Sequence, residues 1–182
     1  MDGVVTILED KYYRIVQEIW QDLHQACNHQ NSTSLTVPHF SWHVAQSYGN
    51  ESHLDDLLQK ISLQIKPFTV RTTGLGMFLH PRLVIYIPVV KTQSMIEVHR
   101  MLWDQLLALA EQPLPYYSPD HWMPHITLIH EELTETGLSG VLARLSRWEF
   151  DWEIKVNNLA LIGQTQNASG KICIQHSLRG EL

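Results

Sequence analysis

Two stretches of the chain carry the same arrangement of a histidine and a hydroxyl side chain. Residues 38–43 read Pro-His-Phe-Ser-Trp-His, and residues 124–130 read Pro-His-Ile-Thr-Leu-Ile-His. Each stretch therefore begins Pro-His-apolar-hydroxyl-apolar. The two histidines, His39 and His125, are 86 positions apart, nearly half of the 182-residue chain. A spacing this large indicates two similar halves of the molecule, each of which brings one histidine to a shared cleft.

The chemistry that such a pair can perform is proton transfer. Residues i and i+2 of a strand face the same side, so His39 points with Ser41 and His125 points with Thr127. The hydroxyl groups can donate hydrogen bonds to the non-bridging oxygens of a phosphate. With an unperturbed pKa of about 6.5, one histidine can accept a proton from the attacking oxygen while the other protonates the leaving oxygen. These four side chains are therefore predicted to form an active site for a phosphoester.

The histidine spacings also allow a metal-site interpretation. The chain has 11 histidines, and both His39–His43 and His121–His125 are four positions apart. On a helix this spacing lets two histidines bind one zinc ion. On a strand it separates the side chains by about 13 Å, too far to share an ion, and Pro124 disfavours a helix before His125. We expect no metal and no other cofactor. By strand parity His43 is expected on the face of His39, as a solvated or internally hydrogen-bonded residue.

The hydrophobic pattern predicts the elements that must position these residues. Strands are predicted at 4–8, 39–48, 68–73, 83–90, 125–129, 150–156, 159–164 and 171–176, and helices at 11–27, 52–61, 94–111 and 134–147. The segment 28–36 is expected to be a loop. Strands and helices interleave without a regular β-α-β alternation, which favours an α+β fold. Because no long Pro/Gly/Ser linker interrupts the chain, we expect a single domain over residues 1–182.

Aromatic side chains near the two motifs are candidates for stacking on a nucleobase. Phe78 and Trp122 lie beside the segments that carry the family resemblance described below, so both are predicted to bind the substrate. Further candidates are Tyr86, Tyr116 and Tyr117. Trp42 is expected in the core by strand parity. The segment Gly74–Gly76 lacks the length and the lysine of a phosphate loop and is expected to serve a tight bend.

Composition restricts the partners that the site can serve. The formal net charge is −6 and the lysines and arginines are scattered, whereas a protein that follows a duplex usually has a basic stripe. A nucleotide or an RNA terminus is therefore the expected substrate. The longest apolar run, 83–90, is too short to span a membrane, and the first residues do not resemble a signal peptide. With only two cysteines, Cys27 and Cys173, we expect a reduced, cytoplasmic setting. We also expect a monomer.

The paired motifs resemble those of the two-histidine (2H) phosphoesterase superfamily, which includes RNA 2′,5′-ligase-like proteins and cyclic nucleotide phosphodiesterases. The segment Thr73-Gly-Leu-Gly-Met-Phe78, followed by Pro81-Arg-Leu-Val-Ile-Tyr86, is similar to that family's Gly-x-Gly-apolar-Phe segment and the apolar strand after it. The resemblance covers nearly the whole chain. It implies a bilobal α+β fold, with two pseudo-symmetric lobes of antiparallel sheet and outer helices around a central cleft.

The resemblance also implies a catalytic tetrad, and its members are His39, Ser41, His125 and Thr127. Ser41 stands where many members have threonine, which keeps the hydroxyl. The expected activity is hydrolysis of a 2′,3′-cyclic phosphate, or of a phosphodiester at a nucleotide or RNA end. The alternatives are RNA 2′,5′-ligase activity, a nucleotide- or RNA-end-binding module with little turnover, and a metal-dependent hydrolase. The residues do not assign the base and the acid between the two histidines.

Overall fold

The structure is a computed structural model that describes residues 1–27, 37–130, 133–165 and 168–180. Its strands are β1 (Asp2–Ile7), β2 (His39–Tyr48), β3 (Phe68–Arg71), β4 (Gly76–Phe78), β5 (Val84–Pro88), β6 (Ala110–Pro113), β7 (His125–His130), β8 (Glu153–Val156), β9 (Asn158–Thr165) and β10 (Ala168–Ser177). Its α-helices are α1 (Asp10–Cys27), α2 (Glu51–Ser62), α3 (Gln93–Leu106) and α4 (Glu135–Leu145). A short 3₁₀ helix covers Pro115–Tyr117.

The strands form two antiparallel sheets. The larger has the order β10-β9-β1-β2-β7-β5-β4, with β6 also paired to β2, and the smaller consists of β3 and β8. The motif strands β2 and β7 are neighbours at its centre, where Phe40 pairs with Ile126. This contact joins one half of the sheet, with β10, β9, β1 and β2, to the other half, with β7, β5 and β4. The α+β class predicted from the sequence is confirmed.

The helices cover one face of the larger sheet. Helix α2 packs on β9 and β10, α3 packs on β2, and α1 packs on β7 and on α4. Each helix contributes to one hydrophobic cluster, for example through Val16, Leu54, Leu102 and Val141. Phe40 and Ile126 belong to this cluster and are fully buried. Residues that alternate with them along β2 and β7 therefore point to the opposite face of the sheet, away from this cluster.

The predicted elements match the observed ones except around β6 and β4. The helical pattern predicts a third helix that reaches residue 111, but the helix ends at Leu106, and 110–113 pair with the second half of β2. Pairing with an otherwise open strand edge thus overrides the helical pattern of this segment. The sequence does not predict the three-residue strand β4, because a segment that short carries no periodicity. The predicted loop at 28–36 lies outside the described residues.

No helix in the described ranges is long and apolar enough to cross a membrane.

Candidate active site

The register between the motif strands brings the four motif side chains together on the open face. Phe40 pairs with Ile126 in antiparallel register. Moving one residue along each strand places His39 across from Thr127 and Ser41 across from His125. All four side chains are partly exposed, whereas their alternating neighbours in the strands are buried. Each histidine therefore lies opposite the hydroxyl of the other motif.

A β-bulge follows the hydroxyl residue in each motif strand. The register between β1 and β2 shifts at Trp42, and the register between β5 and β7 shifts at Leu128. Each of these is the third residue after the histidine of its motif, so the internal repeat extends from the sequence to the backbone. A bulge bends its strand and increases the local twist. The two strands thus make contact at the motifs and change direction directly after them.

The bulge in β2 places His43 in the core. The inserted Trp42 reverses the alternation of the strand, so His43 is fully buried and does not share the open face with His39. The prediction of a shared face was wrong because strand parity assumes an unbroken ladder. Nδ1 of His43 lies 2.6 Å from the hydroxyl of Tyr48, and its Nε2 is buried and has no hydrogen-bond partner among the residues that the structure describes. Burial lowers the pKa of His43 to about 4.

Both motif histidines are held by the backbone in the same way. Nδ1 of His39 lies 2.6 Å from the carbonyl oxygen of Val37, and Nδ1 of His125 lies 2.6 Å from that of Met123. A carbonyl only accepts, so Nδ1 carries the proton and donates it. This tautomer leaves Nε2 of each neutral ring free to accept a proton. In both motifs the accepting carbonyl precedes a proline, whose fixed φ restricts the backbone there.

Burial and mutual repulsion favour the neutral form of the two motif histidines. Burial lowers the pKa of His39, the hydrogen bond to the Val37 carbonyl partly opposes this, and the charge of His125 lowers the pKa further. Burial likewise lowers the pKa of His125, against the effect of the Met123 carbonyl. A proton on one ring therefore disfavours a proton on the other. The pair is suited to hold one proton between them, which general acid–base catalysis requires.

An aromatic wall borders His125. The ring of Tyr86 lies 4.9 Å from the imidazole of His125, and the ring of Phe78 lies 5.3 Å from it, nearly perpendicular. Gly76 makes room for this wall, because a Cβ there would lie 2.4 Å from the ring of Tyr86. Gly74 adopts φ +56°, the left-handed conformation that a tight bend favours. The Gly-x-Gly segment therefore provides the bend and the space that this wall needs, and the half-buried Phe78 lies next to His125.

Trp122 lies in the core, whereas its predicted role of stacking on a nucleobase requires an exposed ring face. Its side chain is 2% exposed and is stacked against His99 at 3.9 Å and Trp42 at 5.2 Å between ring centroids. A nucleobase cannot stack on a ring with so little free surface, so the prediction of base stacking by Trp122 is corrected. Its indole Nε1 instead donates to the carbonyl oxygen of Ser41 at 2.9 Å.

Tyr117 contacts the site. The sequence offered it only as one of several aromatic residues that could stack on a nucleobase. Its phenol hydrogen-bonds the side chain of Ser41, and burial raises its pKa against the effect of that contact. The neighbouring Tyr116 is 72% exposed. Their positions follow from the 3₁₀ turn and from the pairing of β6 with β2, neither of which has a signal in the sequence.

A cavity of about 790 Å³ lies where β1 leads into α1, and none of the four motif side chains lines it. Ile7 lines it and is the direct cross-strand partner of His39. Its polar lining includes Lys11, Lys155, Asn157, Asn158, Gln175 and Ser177. The surroundings of the two histidines thus differ: an aromatic wall borders His125, whereas His39 pairs with a residue that lines a polar cavity. Within the described ranges, no group of three or more His, Cys, Asp or Glu side chains is arranged to hold a metal ion.

Two His-x-hydroxyl motifs on adjoining central strands, in antiparallel sheets backed by helices, define a two-histidine phosphoesterase. In agreement, residues 9–168 match the model of the 2′-5′ RNA ligase superfamily, and the chain belongs to this family. A curated relative, the "Putative phosphoesterase" of Bacillus licheniformis, is 25% identical over 112 residues. That alignment spans 62% of this chain and 62% of the relative's own length.

Solved structures share the fold over nearly the whole chain. The Thermus thermophilus protein TT0787 is 15% identical, with a TM-score of 0.66 over 100% of this chain and 99% of that chain. E. coli LigT in its apo form is 13% identical, with a TM-score of 0.61 over 97% of this chain and 95% of that chain. These likenesses confirm the predicted two-histidine phosphoesterase fold.

Proposed function

We propose that the protein hydrolyses a 2′,3′-cyclic phosphate or a phosphodiester at a nucleotide or RNA end by two-histidine acid–base catalysis. The observation that carries the proposal is the register at Phe40 and Ile126, which sets each histidine opposite the hydroxyl of the other motif. The phosphate would lie between the two imidazoles, where both Nε2 atoms are free to exchange protons. Ser41 and Thr127 would donate hydrogen bonds to its non-bridging oxygens.

In the hydrolysis of a 2′,3′-cyclic phosphate, one neutral histidine removes a proton from water through Nε2. The water oxygen forms a bond to phosphorus, and the bond from phosphorus to one ribose oxygen breaks. The second, protonated histidine gives its proton to that departing oxygen. Proton exchange with solvent then restores the starting forms. The similar tethering of the two rings allows either to act as the base. If a 5′-hydroxyl attacked the cyclic phosphate in place of water, with its proton going to the base and the acid protonating the departing ribose oxygen, the same site would join two ends, which is ligation.

The surroundings of the site support a nucleotide as the bound group. Phe78 offers a partly exposed ring beside His125 for a base, and base–aromatic stacking contributes about 1–3 kcal/mol. The polar cavity lined by Ile7, the cross-strand partner of His39, would take the group on the other side of the phosphate. LigT, which shares the fold, has been solved in complex with 3′-AMP and with ATP. The net charge of −6 favours a small or terminal phosphate over a long duplex.

The test is an assay on 2′,3′-cyclic nucleotides and on 2′,5′- and 3′,5′-linked dinucleotides in excess EDTA. His39→Ala and His125→Ala should each lower the rate on the order of 10²–10⁴-fold, because each removes one of the two proton-transfer groups. His130→Ala is the matched control, since His130 ends the same strand as His125 but is exposed. Its rate should equal that of the wild type.

Other outcomes would assign the protein to the alternative functions. Full activity in either motif variant would contradict the two-histidine mechanism. Loss of wild-type activity in EDTA would indicate a metal-dependent hydrolase. Mononucleotide binding without turnover that depends on the histidines would indicate a binding module. Joining of RNA ends that requires both histidines would add ligation to the activities of the site.

A further inference from the structure

Two tryptophan side chains make equivalent hydrogen bonds to the two motif strands. The indole Nε1 of Trp122 donates to the carbonyl oxygen of Ser41 at 2.9 Å. The indole Nε1 of Trp20 donates to the carbonyl oxygen of Thr127 at 3.3 Å. Each accepting carbonyl belongs to the hydroxyl residue of a motif. The two bonds are also crossed between the motifs. Trp122 comes just before the second motif in the chain but donates to Ser41 of the first. Trp20 of α1 comes before the first motif but donates to Thr127 of the second.

We propose that Trp122 and Trp20 are positioning residues that set the orientation of the Ser41 and Thr127 hydroxyls toward the phosphate. This inference rests on the proposed function. Each accepting carbonyl directly precedes a bulged residue, Trp42 in β2 or Leu128 in β7. A bulge locally disrupts the ladder hydrogen bonds that fix a strand's peptide planes. The indole N–H supplies a donor at that point and restrains the peptide plane next to the hydroxyl-bearing Cα.

The support for Ser41 is tightly packed. Trp122 is 2% exposed and lies parallel to the ring of His99, at an interplanar angle of 10°. Its other stacking partner, Trp42, is the bulged residue itself and donates its own Nε1 to the hydroxyl of Thr6 at 2.8 Å. Trp20 is only half-buried and its bond to Thr127 is longer. Trp122 should therefore have the larger effect.

Restraint of the hydroxyl matters because displacements of about 1 Å can cost about 100-fold in rate. A hydroxyl that stabilises charge on the phosphoryl oxygens acts mainly in the transition state. Loss of its restraint should consequently lower kcat with little change in KM. A purely structural loss of packing would lower the melting temperature without this selective effect.

The experiment compares Trp122→Phe and Trp20→Phe with Trp152→Phe. Phenylalanine removes the N–H and keeps an aromatic ring. Trp152 is the matched control: it is 6% exposed, and its Nε1 donates at 2.7 Å to the carbonyl oxygen of Glu149, away from the motifs. We expect kcat to fall on the order of 10-fold for Trp122→Phe and a few-fold for Trp20→Phe, with KM changed less than about twofold. Trp152→Phe should keep the wild-type kcat at a similar loss of thermal stability.

Double-mutant cycles test the crossed assignment. The effect of Trp122→Phe on kcat should disappear in a Ser41→Ala background and persist in a Thr127→Ala background. The effect of Trp20→Phe should disappear in the Thr127→Ala background and persist in the Ser41→Ala background. This second cycle still tests the proposal if Trp122→Phe does not fold. Equal effects in both backgrounds, or a kcat loss matched by Trp152→Phe, would overturn the proposal. Failure of the proposed function is a separate result, namely full activity in His39→Ala or His125→Ala.

Discussion

The positive charge of His125 lowers the pKa of His39, although each ring is tethered by its own backbone carbonyl. The two imidazoles are therefore close enough for the charge of one to affect the other, but each is oriented by its own carbonyl. This arrangement follows from the pairing of β2 with β7, which brings together residues far apart in the chain. The charge coupling and the tethers lead to a prediction about the dependence of the rate on pH.

The profile of kcat/KM against pH should be bell-shaped, with its optimum below about pH 6.5. Burial lowers the pKa of both histidines, so the proton that the acid must carry is lost at a lower pH than for free histidine. In His125→Ala the pKa of His39 should rise, because a neighbouring positive charge is removed. NMR titration of the His39 ring protons measures this shift. An unchanged pKa in the variant would mean that the two rings do not interact.

The histidine motifs could be predicted from the sequence because they are repeated, and the repeat specifies both residue type and strand parity. Parity fails at His43, since an inserted residue such as Trp42 reverses the alternation without leaving a compositional mark. The prediction for Trp122 fails for a related reason: proximity to a motif does not reveal whether a ring is covered. The pairing of β6 with β2 depends on a partner distant in sequence, and no local pattern predicts it.

Acid should destabilise the fold through two buried histidines, His43 and His99. Burial lowers the pKa of each to about 4 in the folded protein, whereas the unfolded chain titrates at about 6.5. The unfolded state binds more protons between these values, so the stabilising effect is complete above about pH 6.5 and is lost as the pH falls toward 4. One such histidine contributes on the order of 2–3 kcal/mol. The two contributions are not additive, because the charge of His99 also lowers the pKa of His43.

Urea unfolding at pH 7 and pH 5 measures this dependence. His43→Leu removes one of the two groups, so the free energy of unfolding should fall less between the two pH values than in the wild type. His130→Gln changes an exposed histidine and should keep the wild-type difference. A wild-type free energy of unfolding that is equal at both pH values would contradict the prediction.

Gly76→Ala should disturb the aromatic wall. The added Cβ would lie 2.4 Å from the ring of Tyr86, which itself contacts both Phe78 and His125. Because Tyr86 must shift, the free energy of unfolding should fall by about 1–3 kcal/mol and kcat/KM should fall with it. Gly140→Ala is the control, since a Cβ there meets nothing within 4 Å in helix α4. That change should stabilise the protein by about 0.5–1 kcal/mol, and a stable, fully active Gly76→Ala would show that Tyr86 has no effect on the site.

Phe78→Ala should weaken substrate binding more than it weakens the fold. The ring of Phe78 is half-buried and lies 5.3 Å from His125, so its outer face is open to a base bound next to the phosphate. Since stacking on an aromatic ring contributes about 1–3 kcal/mol per base, KM for a nucleotide substrate should rise about 10-fold. The change in kcat should be smaller, because the ring carries no proton and touches no reacting oxygen. Steady-state kinetics measure both constants. Tyr116→Ala removes a ring that is 72% exposed and should leave KM unchanged. If Phe78→Ala binds the substrate as well as the wild type does, the base binds elsewhere and Phe78 is not part of the substrate site.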